Sequence, residues 1–290
     1  MTTITSFIGV LFDGLAYGSL LFLISIGLSV TMGLMNFINL AHGAFAMLGG
    51  YATVIVMSRL GVPFLPALVV AFAISGAAGA VLERILYRRL YRAAHLDQVL
   101  FTIGLTFMSI AATTYFFGPG QQPVVLPAFL TGQVHALGMD FGTYRLFLIA
   151  MVIVITIGLV WLVERTRFGA QVRASVDNQQ ASVGLGINVE RVFSVTFALG
   201  SALAGLGGAL GINVLGLDPT FPLKYMVYFL LVVAVGGAGT IRGPMIAALL
   251  LGVFDVAGKY YVPQIGAFVI YAAMVAMLLI FPSGLAGRRT

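Results

Sequence analysis

The chain has 290 residues, of which 60% are hydrophobic and only 8% charged. A soluble domain carries about a quarter charged residues, so this composition excludes a water-exposed globular protein and places most of the chain in lipid. The net charge of +6 would suit a nucleic-acid partner if the basic residues formed a patch. They fall instead in short clusters between apolar runs, which is a topology signal and excludes nucleic acid.

A helix that crosses the hydrocarbon core needs about 20 mostly apolar residues. In chain order such runs lie near 7–32, 38–57, 62–82, 98–117, 144–163, 191–214, 223–240, 244–258 and 265–282. The expected fold is an all-α, polytopic membrane bundle of eight or nine spans with broken helices, forming one transmembrane domain over residues 1–290. The first run has no Lys or Arg ahead of it and continues to about residue 35. It reads as an uncleaved span, because a secretory signal has a basic start and a shorter apolar core.

The segment 32–51, MGLMNFINLAHGAFAMLGGY, sets Asn36, Asn39 and His42 at or near bilayer depth. Polar side chains there usually face a cavity or another helix. Gly33, Gly43, Gly49 and Gly50 permit a broken helix, which membranes tolerate only where it is buried in protein or lines a water-filled path. Asn36 or Asn39 equally serves as an interfacial helix cap, and a lone histidine is more often a buried hydrogen-bonding residue than a ligand.

Arg84, Arg88, Arg89 and Arg92 follow the third run. Arg165, Arg167, Arg173 and Arg191 lie in or beside the polar stretch 164–190, and Arg242, Arg288 and Arg289 come later. All fall on one side, which the positive-inside rule makes cytoplasmic; Arg59, Arg145, Lys224 and Lys259 fall on the other. Nine spans put the N-terminus outside and the C-terminus inside; eight put both ends inside. The longest outer segment, 118–143, is too short to be a ligand-binding domain.

The stretch 164–190, ERTRFGAQVRASVDNQQASVGLGINVE, has helical spacing in Val172, Val176 and Val183. Thr166 is suited to start a short cytoplasmic helix and Gly184 or Gly186 to end it. Arg173 and Asp177, four apart, can pair with each other or with a partner's charges. Its apolar face needs a cover: lipid, its own bundle, or a partner protein. An ordinary structured loop is the plainer reading. In GSALAGLGGALG, residues 200–211, small residues recur every four positions, which lets another helix approach closely.

The glycines of VGGAGTIRGPMIAALLLG, residues 235–252, fit neither a Walker A motif, since no Lys follows, nor a dinucleotide fingerprint. They read as a helix break and turn from Gly236 to Pro244, and no ATP site is visible in the chain. Asp255 and Lys259 can pair at a helix end, and Asp13 lies early in the first span. Three scattered histidines without cysteine do not make a metal site, and no catalytic arrangement is present.

Several of these segments together resemble the branched-chain amino-acid ABC transporter permeases, in particular the shorter of the two homologous subunits. The resemblance rests on NFINLAHG after the first span, ERILYRRLYR before LFTIGLTF, RFGAQVRASVDNQQASVGLGIN, the glycine segment, and the terminal FPSGLAGR, in order along nearly the whole chain. Two positions depart from the family's pattern: Tyr228 stands where a Lys is common, and Ala44 follows the A-H-G run in place of an acidic residue.

The resemblance implies a non-enzymatic permease subunit in a bacterial inner membrane, importing branched-chain or other neutral amino acids. It implies a second homologous permease, two cytoplasmic ATPases that bind the ATP and Mg, and a periplasmic solute-binding protein, with no cofactor in this chain. Segment 168–188 would dock on an ATPase through Phe168, Gly169, Val172, Arg173, Val176, Asp177, Gly184 and Ile187. The translocation path is expected near Asn36, Asn39, His42, Gly43, Tyr228, Gly236 and Gly237. The alternative is a self-contained, ion-coupled secondary transporter. Such proteins bury a carboxylate near the midplane, whereas the acidic residues within predicted spans, Asp13 and Asp255, are both placed near an end. A membrane enzyme would need a catalytic cluster that the chain lacks.

Overall fold

The computed structural model describes residues 2–91, 93–136, 138–282 and 284–286. Arg92, Arg288 and Arg289 lie outside them. Eleven α-helices are present among the described residues. Each of the nine predicted runs is occupied by one: α1 (Thr2–Met35), α2 (His42–Leu60), α3 (Phe64–Ile85), α4 (His95–Phe117), α5 (Thr143–Arg165), α8 (Val189–Leu215), α9 (Phe221–Gly236), α10 (Arg242–Tyr261) and α11 (Gly266–Ile280). Seven are long and apolar enough to cross a membrane; α9 and α11, with 16 and 15 residues, are shorter. The remaining two, α6 (Arg167–Asp177) and α7 (Gln179–Gly184), form the polar stretch between α5 and α8.

In lipid, apolar burial does not drive helices together, so close backbone packing through small residues must do so. Helix α8 is the centre of that packing, buried along most of its length against α1, α2 and α3. Its glycines explain why. A side chain at Gly208 would collide with the backbone of Ala46, one at Gly205 with Ser75, and the α1 residue Gly27 meets Gly200 backbone to backbone. The small-residue stripe of 200–211 therefore packs within this chain. Helices α1 and α10 pack in the same way, with Gly18 and Gly252 at their contact.

Helices α4 and α5 sit at the periphery and expose large apolar side chains such as Phe107, Met108, Ile157 and Trp161. Between α4 and α5, β1 (Gln133–Ala136) and β2 (Met139–Gly142) form an antiparallel hairpin. This hairpin was not expected from the sequence. Its signal is Gly138, whose φ of 75° suits the tight turn after the alternating run QVHA.

Candidate translocation and coupling regions

The chain from α1 to α2 does not leave the bundle. Asn36 ends α1 with a left-handed φ of 47°, a helix-terminal role that asparagine tolerates better than most residues. The His42 ring N–H then donates to the Ile24 carbonyl at 2.8 Å. Ile24 lies eleven residues before Met35, so the irregular segment 36–41 runs back alongside roughly 16 Å of α1 at 1.5 Å per residue. Irregular backbone at that depth must be buried in protein or face water; Phe37, Asn39, Ala41 and His42 are all buried. The Asn39 carbonyl oxygen accepts from the Ala41 amide and from the Tyr87 hydroxyl, each at 3.1 Å, while its NH₂ group is buried without a partner. Gly43 lies against Pro222 in the first turn of α9, where a side chain would crowd the Pro222 backbone.

The glycine break is clamped on three sides. Helix α9 stops at Gly236, and Gly237 adopts a positive φ of 89°. A side chain on Gly236 would strike the backbone of Pro244 and Gly243. Ser29 on α1 accepts the Gly239 amide at 2.8 Å through its carbonyl and donates its hydroxyl to the Thr240 carbonyl at 3.2 Å. From the C-terminal side, the amides of Leu285 and Ala286 donate to the carbonyls of Val235 and Gly236 at 2.7 and 3.3 Å. Tyr228 lies two turns from this break, half-buried, with ring centroids of Tyr225 and Tyr271 at 6.0 and 6.4 Å. The fold thus joins the two halves of the expected path at two places: 36–43 meets the start of α9, and the end of α1 meets the turn 237–241.

Segment 168–188 is two helices rather than one. Thr166 caps α6 as expected, its hydroxyl accepting the Gly169 amide at 3.1 Å. Asn178 breaks the helix, with φ of −155°, and caps α7 by accepting from the Ala181 amide at 2.9 Å. Gly184 closes α7, and Gly186 follows with φ of 82°. The apolar face is divided. Val172 is buried in this chain's own bundle, with Phe168 and Ile187 packed against the core, while Val176, Val183 and Leu185 are exposed at 39%, 59% and 80%. Arg173 is held by its own bundle too, its guanidinium donating to the Val163 carbonyl. A cavity of about 430 Å³ separates α6 from the turn 237–241, with Val172, Arg173, Val176 and Asp177 on one wall and Ala238 to Ile241 on the other.

One cluster escaped the sequence. Helix α3 extends past the predicted end of its span, so Glu83 lies inside it and is wholly buried. Its carboxylate accepts from the Tyr91 hydroxyl at 2.7 Å and from Ser194 on α8, and Arg88 stands 3.7 Å away. Arg88 also bonds Glu190 at 3.0 Å, and Arg242 bonds Glu164 at 3.2 Å. Burial pushes the Tyr87 and Tyr91 phenols well above the ordinary tyrosine range, so both stay hydroxyl donors. The sequence signal was present in E-R-I-L-Y-R-R, whose glutamate precedes Arg88 and Arg89 by more than one helical turn.

These features define a polytopic helical membrane protein with broken helices at membrane depth and a helical pair outside it. Residues 10–278 match the family described as branched-chain amino acid transport system / permease component, and the chain belongs to that family. It is 29% identical to the high-affinity branched-chain amino acid transport system permease protein LivH of Salmonella typhimurium, over 97% of this chain and 96% of that one. It is 28% identical to the corresponding protein BraD of Pseudomonas aeruginosa, over 99% and 98%. A shorter similarity, 28% over 36% of this chain, links it to 32% of the autoinducer 2 import system permease protein LsrC of Salmonella paratyphi B. No solved structure matches the chain.

Proposed function

We propose that this chain is the permease subunit of an ATP-binding-cassette importer in a bacterial inner membrane, carrying branched-chain or other neutral amino acids. The observation that supports it best is the family match over residues 10–278. In this reading the chain forms part of the translocation path beside a second homologous permease. Two cytoplasmic ATPases bind ATP and Mg, and a periplasmic binding protein delivers the solute. The chain carries no Walker A sequence of its own, which agrees with hydrolysis in separate subunits. The exposed Val176, Val183 and Leu185 of the α6–α7 pair are the surface offered to an ATPase. The path is assigned to Asn36, Asn39, His42, Gly43, Tyr228, Gly236 and Gly237.

The test is uptake of labelled L-leucine into proteoliposomes that hold this chain with its second permease and ATPases, supplied with binding protein. Uptake is expected only with ATP inside the compartment that holds the ATPases. Leucine accumulation by this chain alone, driven by an ion gradient, would overturn the reading in favour of a secondary transporter.

A further inference from the structure

Asp255 does not lie at the end of its helix, as its sequence position suggested. It is six residues inside the end of α10, about 9 Å along the axis, and only 1% exposed. One carboxylate oxygen takes the Lys259 ammonium at 2.5 Å; the other is buried with no hydrogen-bond partner. A buried ionised group with an unsatisfied oxygen is costly in a membrane protein. A helix-end ion pair alone would not need the carboxylate at this depth, because the Lys259 side chain reaches the protein surface, 53% exposed.

Four tyrosines lie on the three helices packed against this part of the bundle, α1, α9 and α11. Tyr17 of α1 presents its ring 5.7 Å from the Lys259 ammonium. Tyr225 and Tyr228 lie on α9, which packs against α10, with ring centroids 6.0 Å apart. Tyr271 of α11 completes the ring of aromatics beside Tyr228 and is 36% exposed, so the cluster opens where Tyr271 and Lys259 do. Asp255 is thirteen residues from Arg242, about 20 Å, which sets the cluster toward the membrane face opposite the arginine-bearing loops.

We propose that Asp255, Lys259 and the tyrosines 17, 225, 228 and 271 form a low-polarity binding site for a small zwitterion, an α-amino acid with an apolar side chain. The ligand ammonium donates to the free Asp255 oxygen and lies against tyrosine faces, which attract cations. The ligand carboxylate accepts from the remaining N–H groups of Lys259. The four charges then sum to zero, and the unpaired Asp255 oxygen gains a donor. The apolar side chain lies among the rings. This site rests on the proposed import of neutral amino acids and names where, within the permease, such a solute is held.

The test is the doubly neutral variant D255N/K259M in the complete, reconstituted transporter. If the pair only tied one turn of α10 together, removing both charges would leave transport intact. The expected result is L-leucine uptake at least tenfold below wild type, with ATPase subunits co-purifying in wild-type amount and ATP still hydrolysed. Uptake within twofold of wild type overturns the site. Tyr228→Phe and Tyr228→Leu serve if the double variant does not assemble: Phe keeps uptake, Leu loses it about tenfold, and equal uptake by the two overturns the site. If wild type carries no neutral amino acid, the functional reading falls and the site with it; if wild type carries leucine and the neutral variant does too, only the site falls. Leucine uptake by wild type under an imposed proton gradient without ATP would make Asp255 a proton site and overturn the assignment.

Discussion

Glu83 ties three parts of the arginine-bearing end to one carboxylate: α3 that carries it, the following turn through Tyr91 and Arg88, and α8 through Ser194. Removing the charge while keeping the shape leaves two hydroxyl donors and a guanidinium facing an amide that can accept fewer hydrogen bonds. Hydrogen bonds to charged groups are worth about 1.5–3 kcal/mol each, whereas the Arg88 guanidinium keeps Glu190 and adds little to the loss. Glu83→Gln is therefore expected to lower the melting temperature of the detergent-purified permease by several degrees, and Glu83→Ala by more. A scanning-fluorescence melt reads both. An unchanged melt for Glu83→Gln would mean that the carboxylate is not the fastening. Arg88 should behave less severely, since it is 39% exposed and water replaces part of what it gives.

At the level of elements, the division of the α6 face makes a paired prediction. Val172 is buried in this chain, whereas Val176 is exposed. A charge at Val172 enters a packed interior and should cost several kcal/mol of the permease's own stability. A charge at Val176 reaches solvent in the isolated chain, at the edge of the cavity between α6 and the turn 237–241, and is sealed from water only if an ATPase covers it. Val176→Asp is expected to keep the wild-type melt and lose ATPase in a pull-down with tagged permease; Val172→Asp is expected to lower the melt. Full ATPase retention by Val176→Asp would leave α6–α7 an ordinary loop. Periodicity could reveal the valines but not this division, because helical spacing says which residues share a stripe and not what covers it. The break at Asn178 was legible in principle, since asparagine competes for backbone hydrogen bonds and favours caps, but four- and seven-residue spacing across it suggested one helix. The nine apolar runs were legible because lipid demands them. The depth of Asp255 and Glu83 was not, because each sits where hydropathy changes sign and a boundary error of a few residues moves a charge from interior to interface.

For the whole molecule, the arrangement of charge around the bundle argues orientation. Arg88 joins the loop after α3 to Glu190 at the start of α8, and Arg242 joins the turn before α10 to Glu164 at the end of α5. Three arginine-bearing segments, far apart in sequence, therefore occupy one end of the bundle. The opposite end carries the hairpin β1–β2, with Arg145 at the start of α5 paired to Asp13 on α1. The positive-inside rule then predicts the α6–α7 pair in the cytoplasm and the hairpin outside. The chain has no cysteine, so single probes can be placed without removing native thiols. Gln180 on α7 and Gln133 on β1 are both exposed and neither side chain caps a helix, so a thiol at either site reports access without disturbing the fold. A membrane-impermeant maleimide added to intact spheroplasts is expected to label Gln133→Cys and to spare Gln180→Cys; inverted vesicles should reverse the pattern. Labelling of Gln180→Cys from outside would invert the molecule. It would then place the α6–α7 surface where no ATPase can reach it, and the proposed coupling would fall with the topology.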